Sequence, residues 1–308
     1  MANTSKKKKS AVVKYNKWGY IFLAPFIIVY LIFQMIPLFS TIYNSFFENY
    51  MSGLNQIGPN FIGLENYAAI FTKDDLWKYF CNTMIMWVCG FVPQVAVSLI
   101  LAAWFSDNRL RIKCAGFFKT VIYLPSVIMA TAFAALFLSL FSTTGPINDF
   151  FVDTLKLWPG RIDFFANVWL TRGLIIFMSF LMWFGSSTLL LMAGMMNVDN
   201  SLYEAAKVDG AGNFLIFRKI TMPAIRPVFF YVVITSLISG MQLFDVPYVL
   251  TGGTGGPMRT SMTMVMFLNN HLYSKNYGMS GAVSTLMLLV TGLLSTIVFF
   301  INGKAENR

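Results

Sequence analysis

From Phe80 to Phe105 the chain reads FCNTMIMWVCGFVPQVAVSLILAAWF, 26 residues without one Asp, Glu, Lys, Arg or His. A helix that crosses a bilayer needs about 20 mostly apolar residues, because the hydrocarbon core is about 30 Å thick. This stretch meets that requirement on its own. Working outward, five more stretches do the same: Tyr20–Ser40, Phe118–Phe141, Gly173–Met196, Val228–Leu250 and Gly281–Ile301. Six apolar stretches in 308 residues predict an all-α integral membrane protein with six transmembrane helices.

Composition agrees. The chain is 56% hydrophobic, 17% aromatic and only 12% charged, with a mean hydropathy of +0.63. A soluble domain carries about 25% charged residues, so a soluble enzyme and a disordered chain are both excluded. The three cysteines, Cys81, Cys89 and Cys114, form no C-x-x-C pair and no even set, which removes disulfide scaffolds and thiolate zinc sites. The single histidine, His271, argues against a histidine metal centre. The formal charge of +10 is read as basic cytoplasmic loops rather than as a nucleic-acid surface.

The loops orient the spans. With the N-terminus inside, the tails and loops two and four hold 16 Lys and Arg, against 7 in loops one, three and five. The inside clusters are Lys6 to Lys9 with Lys14 and Lys17, then Arg109, Arg111, Lys113 and Lys119, then Lys207, Arg218, Lys219 and Arg226. This positive-inside bias places both termini in the cytoplasm and the protein in the cell membrane. The first apolar stretch is too long for a signal-peptide core and no A-x-A site follows it, so it is an uncleaved span. The expected organisation is a cytoplasmic tail over 1–19, a six-helix transmembrane domain over 20–301 with an inside loop at about 197–227, and a short cytoplasmic tail over 302–308. Loops one and three are long enough for short helices outside the membrane.

The span interiors carry no ionisable side chain. Ion-coupled carriers keep such groups at membrane depth, so the energy for any transport must enter from outside the bilayer. Uncharged polar groups do occur. Thr235, Ser239 and Gln242 are spaced i, i+4 and i+7, one stripe of a helix. Gln94 follows Pro93, whose ring frees the carbonyl of Cys89. Such groups serve either helix–helix hydrogen bonding or a substrate path. Trp18, Trp77, Trp104, Trp158 and Trp169 fall near interfaces, whereas Trp87 and Trp183 lie inside their spans, where a ring can stack on a sugar or simply pack.

Outside, Gly252-Gly253-Thr254-Gly255-Gly256-Pro257 lacks G-K-[ST] and is no phosphate loop. It reads as a turn or as a re-entrant segment after Pro247, and Asp245 just before it and Gly252 and Gly253 at its start are candidates to bind a partner outside. Inside, loop four reads Tyr203-Glu204-Ala205-Ala206-Lys207-Val208-Asp209-Gly210-Ala211-Gly212 and continues to Ile220-Thr221-Met222-Pro223. It predicts a short helix capped by Asn200 or Ser201, with Glu204 in its first turn, small alanines open to close approach, and a sharp turn at Gly210.

These residues resemble the EAA motif of binding-protein-dependent ABC importer permeases, E-A-A, three residues, G, nine residues, I-x-L-P. Glu204, Ala205, Ala206, Gly210, Ile220 and Pro223 fall at that spacing, and Met222 replaces the usual leucine. Gly63-Leu64-Glu65-Asn66-Tyr67, Asn82-Thr83, Tyr123-Leu124-Pro125 and Val249-Leu250-Thr251-Gly252-Gly253 are similar to the sugar branch, in particular to the first of the two paired maltose-type permeases.

The resemblance implies a type I ABC importer transmembrane fold in which loop four is the helix that rests on an ATPase. It further implies an ATPase subunit dimer holding ATP and Mg, a second permease, an extracytoplasmic solute-binding protein and a sugar or short oligosaccharide as cargo. The chain itself would bind no cofactor and hydrolyse no ATP. A channel with a re-entrant glycine-rich outer loop, or an ion-coupled carrier, is the alternative.

Overall fold

The computed structural model describes residues 16–72, 75–107, 110 and 112–306. Lys6 to Lys9, Lys14, Arg109 and Arg111 of the inside charge clusters, and most of the tail assigned to 1–19, lie outside the described residues. Among the described residues, five helices are long and apolar enough to cross a bilayer: Trp18–Asn44, Leu76–Ser106, Val168–Met196, Arg226–Leu250 and Tyr277–Ile301. They are spans one, two, four, five and six.

The expected span three is broken. Ala115–Val127 and Ala130–Leu140 meet at 94°. Ile128 and Met129 adopt extended backbone between them, with ψ of 135° and 130°. Pro125 sits two residues before the end of the first half, where its missing N–H and bulky ring weaken the helix. Ser126 then bonds back to the Tyr123 carbonyl at 2.7 Å and closes the end. The first half presses its backbone onto span four at Gly185, where a Cβ would lie 2.1 Å from the Ile122 carbonyl oxygen. Small residues permit such approaches between membrane helices. The second half turns away and packs Phe133, Ala134 and Phe137 with Leu174, Ile175, Met178, Val246 and Leu250.

Span five is also interrupted. Its helix Arg226–Met241 ends at Gln242, and a second helix, Asp245–Leu250, begins after Phe244. Span one stands apart, with none of its most apolar window buried inside the chain. It widens into a π-turn at Leu31–Met35 just before Pro37, and only its far end reaches span six. There Gly281 lets the Thr41 carbonyl approach to 2.9 Å from where a Cβ would stand.

The chain is not purely helical. Loop one carries an antiparallel hairpin, Phe47–Ser52 with Asn55–Phe61, with Phe47 opposite Phe61 and a turn at Gly53. The two rings stack edge-on at 5.5 Å, a cross-strand aromatic pair. The short helix expected in that loop does exist, at Glu65–Thr72, and buried Asn66 ties it to the hairpin by donating to the carbonyls of Ser45 and Phe47. In loop three a single helical turn, Pro146–Asn148, runs into a π-turn, Asp149–Thr154. Arg161 staples that segment to Asp149 and Asp153 at 2.8 and 2.9 Å.

Candidate functional site

Loop four follows directly from span four, which ends at Met196. Its helix is Asn200–Val208, and the cap is Asp199, not Asn200 or Ser201: the Ser201 N–H donates to Asp199 Oδ1 at 2.9 Å. Asp199 keeps an extended backbone while Asn200 is already helical, which is the geometry a capping side chain needs. Hydrogen bonds from Ser201, the backbone one foremost, hold the Asp199 carboxyl below its ordinary range. With this start, Glu204 lies in the second turn rather than the first, so it is free of the helix end and points to solvent.

The helix closes on Gly210. The Ala211 N–H reaches back to the Ala206 carbonyl at 2.9 Å, the Gly210 N–H reaches the Lys207 carbonyl at 3.0 Å, and Gly210 has φ of +78°. That pair of bonds with a left-handed residue between them is the Schellman stop, and it explains the glycine. Behind it, the Tyr203 and Thr221 hydroxyls meet at 3.2 Å. Thr221 and Ile225 are buried, the latter among Ala102, Leu191, Met195 and Val232 at the inner ends of spans two, four and five.

Glu204, Ala205, Gly210 and Pro223 are exposed, while Ala206 and Ile220 are half-buried. A hollow of about 650 Å³ opens beside the helix, walled by Trp104, Met195, Tyr203, Glu204, Lys207 and Phe214. Val208, 88% exposed, and Phe214, 77% exposed, add apolar surface to the same loop. A rigidly capped helix showing a carboxylate, small residues and apolar side chains is suited to a protein partner.

Four of the six substrate-path candidates share one cleft between spans two, four and five: Trp87, Gln94, Trp183 and Ser239, joined by Ser179 and Ser236. It holds about 40 Å³ in this conformation. Gln94 donates to Ser187 Oγ at 2.8 Å and Ser98 to the Phe184 carbonyl at 2.8 Å, so part of this polarity is spent on joining spans two and four. The Trp87 indole donates to Ser236 Oγ at 3.2 Å and lies flat over Gly240, where a Cβ would stand 2.1 Å from its ring.

Trp183 is 47% exposed and accessible from the cleft. Thr235 and Gln242 do not line it. The Thr235 hydroxyl returns to the Tyr231 carbonyl at 2.8 Å, and Gln242 is an exposed residue beyond the last turn at Met241, so the three-residue stripe is not continued.

Residues 10–308 match the family of binding-protein-dependent transport system inner membrane components. The chain belongs to this family. It is a multi-pass permease subunit of the ABC transporter class. The permease is 30% identical over 302 residues to the lactose transport system permease protein LacF of Rhizobium radiobacter, covering 97% of this chain and 98% of that one. It is 27% identical to the arabinooligosaccharides transport system permease protein AraP of Bacillus subtilis (strain 168), covering 94% and 90%. A bacterial ABC transporter involved in the import of the acidic polysaccharide alginate shares the fold, with a TM-score of 0.79 at 19% identity over 95% of this chain and 97% of that one.

On the outer face of the permease, Gly252 and Gly253 end the helix Asp245–Leu250 with a second Schellman stop. Gly253 N–H reaches the Tyr248 carbonyl at 2.8 Å, Gly252 N–H reaches Val249, and Gly252 has φ of +57°. The glycine-rich stretch therefore begins as a tight turn, and Pro247 lies buried inside the helix before it. Asp245 is exposed in the first turn of that helix.

The residues that hold this loop have no such role in the sequence reading, in which Asn82-Thr83 carries only a family resemblance. Arg172 donates Nε and Nη2 to the Thr260 carbonyl, at 2.9 and 2.6 Å, and Nη2 also to Asn82 Oδ1. Buried Asn82 in turn donates to the carbonyls of Arg259 and Met262 at 3.1 and 3.2 Å. Arg172 lies one residue before Gly173, the start expected for span four, and is helical because Asn167 caps the helix earlier, at Val168, by accepting from Trp169 and Leu170.

Proposed function

We propose that this permease is the membrane half of an ATP-driven importer that carries a sugar or short oligosaccharide delivered by an extracytoplasmic binding protein. The observation that carries the reading is loop four: a helix capped at both ends, fixed to the buried inner ends of spans two, four and five, with Glu204, Ala205 and Gly210 facing out. Glu204, Ala205, Ala206, Gly210, Ile220 and Pro223 form the surface for an ATPase dimer, which holds the ATP and Mg and performs the hydrolysis. Closure of that dimer on ATP pulls the helix, and the paired spans two and four convey the pull to the cleft.

The cargo is supported by the cleft chemistry. Indole faces at Trp87 and Trp183 suit the apolar faces of a pyranose, and Gln94, Ser179, Ser236 and Ser239 supply uncharged hydrogen-bonding groups. The lactose and arabinooligosaccharide relatives support the same class. Both termini lie in the cytoplasm, following the bias in Lys and Arg. A second, sequence-distinct permease completes the pore, and the most apolar window of span one, none of it buried inside this chain, is free for lipid and for that partner.

In vesicles containing both permeases and the ATPase, with ATP enclosed, a sugar-loaded binding protein added outside should stimulate ATP hydrolysis and sugar uptake together. Uptake that needs no ATP, or a transport-competent homodimer of this chain, would overturn the reading.

A further inference from the structure

The outer loop after Gly252 is not held by its own backbone alone. Four successive or near-successive carbonyls, those of Met258, Arg259, Thr260 and Met262, accept from side chains of spans two and four: Lys78, Asn82, Arg172 and Asn82 again. The Met264 N–H, where the next helix begins, donates to Thr83 Oγ1 at 3.1 Å, and Thr83 is fully buried. Side chains rarely take over so many backbone carbonyls of a loop between two other helices; a loop that only needed to be ordered could use local turns. Arg172 and Asn82 also bond each other, which makes one connected network across two spans.

The two spans that hold the loop both reach the coupling surface, where span five joins them. They are joined along their depth by Gln94 to Ser187, Ser98 to the Phe184 carbonyl and Ser106 to Met195 Sδ. At the inner end, Trp104 and Met195 wall the hollow that Glu204 borders. Span four runs from Arg172 to Met196 without interruption and is separated from the loop-four helix by three residues, Asn197 to Asp199. The distance along that helix is about 36 Å at its normal rise.

We propose that Arg172, Asn82 and Thr83 are positioning residues that clamp the outer loop Gly252–Thr263 to the span two–span four pair. Contact of the binding protein with that loop, whose Met258 is 78% exposed, then moves the strut that ends at the coupling helix. This rests on the functional reading above, in which a binding protein docks outside and an ATPase inside. The clamp is a conduit rather than a contact: none of the three side chains needs to touch the binding protein or the sugar.

The test is a titration of binding protein against ATP hydrolysis in vesicles, with Arg172→Gln, Arg172→Lys and Thr83→Val. Losing a charge-assisted bond should lower the maximal stimulated rate of Arg172→Gln about tenfold. The half-stimulating concentration of binding protein should stay within about twofold, because the docking surface itself is retained. Arg172→Lys, which restores one donor to the Thr260 carbonyl, should recover part of the rate.

Thr83→Val keeps the buried shape, removes only the hydroxyl, and should lower the maximal rate in the same manner, so the idea stays testable if Arg172→Gln fails to assemble. A rise in the half-stimulating concentration at unchanged maximal rate would mean that the loop is merely disordered, and the clamp would be rejected. Wild-type stimulation with all three variants equal to wild type rejects it too. Absence of stimulation in the wild type would strike the functional reading instead.

Discussion

Gly210 offers the sharpest test of loop four, because its backbone and its surroundings give separable expectations. Its φ of +78° lies where an L residue is strained, while a Cβ built on it meets nothing within 4 Å. Inside this chain, then, a side chain costs only through the backbone. A residue held in the left-handed region costs about 1–2 kcal/mol, and β-branched residues stand at the upper end. Replacing glycine returns about 0.4–1 kcal/mol by restricting the unfolded chain.

Gly210→Ala should thus be mild, at about 0.5–1 kcal/mol, which is a two- to fivefold loss of the capped population. Gly210→Val should cost the full amount, about tenfold or more. Gly210→Asn, whose side chain tolerates this conformation, should stay near wild type. The assay is binding-protein-stimulated ATP hydrolysis, with amide exchange at Ala211 reporting the cap bond to Ala206. Hydrolysis that falls with side-chain volume, so that Asn is as harmful as Val while the cap stays closed, would refute the turn argument and make the position a direct contact. Val indistinguishable from glycine in both readouts would remove loop four from the coupling surface.

Three further expectations concern single groups. Glu204→Lys should weaken ATPase association about tenfold or more, since a charge-assisted bond of about 1.5–3 kcal/mol is lost and repulsion replaces it; co-purification measures it, and an unchanged complex counts against the role. Trp183→Ala should lower uptake while assembly holds, whereas Gly240→Val should drive Trp87 from its seat at a cost of about 1–3 kcal/mol; tryptophan fluorescence separates the two effects, and normal uptake in both would dismiss the cleft as a path. Asp199 is lowered in the folded state, so its cap contributes fully above the ordinary value of 3.8 and is lost as pH falls below that. Protection of the Ser201 amide, taken relative to its intrinsic exchange rate, should fall only in that acid range, and Asp199→Asn should abolish the pH step.

Much of this architecture is legible in the sequence because hydropathy and helix length are linked by bilayer thickness. The six stretches and the loop-four spacing follow from that link and from the motif. What was not legible has physical reasons. Hydropathy measures length and not direction, so Phe118–Phe141 reads as one rod although the chain turns by 94° within it; Pro125 was the available signal. The polar stripe through Thr235, Ser239 and Gln242 assumed a helix that continues past Met241, and the helix stops there.

The hairpin at Phe47–Phe61 depends on pairing between residues up to 14 apart, such as Phe47 with Phe61, which a helical period cannot reveal. The pairing of Arg172 and Asn82 with the outer loop escaped because their partners are main-chain carbonyls about 90 and 180 residues away. A side chain's preference for one main-chain atom leaves no trace in spacing.

The break in span three has a bearing on the lipid. Ala115–Val127 comprises 13 residues, a rod of about 20 Å, against a hydrocarbon layer of about 30 Å. The other half, Ala130–Leu140, leaves at 94° to it, so the two do not line up as one rod long enough for that layer. Beside span two, whose 31 residues exceed the layer, the chain therefore presents a short flank and a long flank to the same bilayer. Acyl chains next to the short flank must compress, or a neighbouring protein surface must stand in for them, and each ångström of unmatched thickness costs a fraction of a kcal/mol. Acyl-chain length thereby becomes a control parameter of the transporter: lengthening it loads the broken span first, well before any effect on the sugar, the nucleotide or the binding protein.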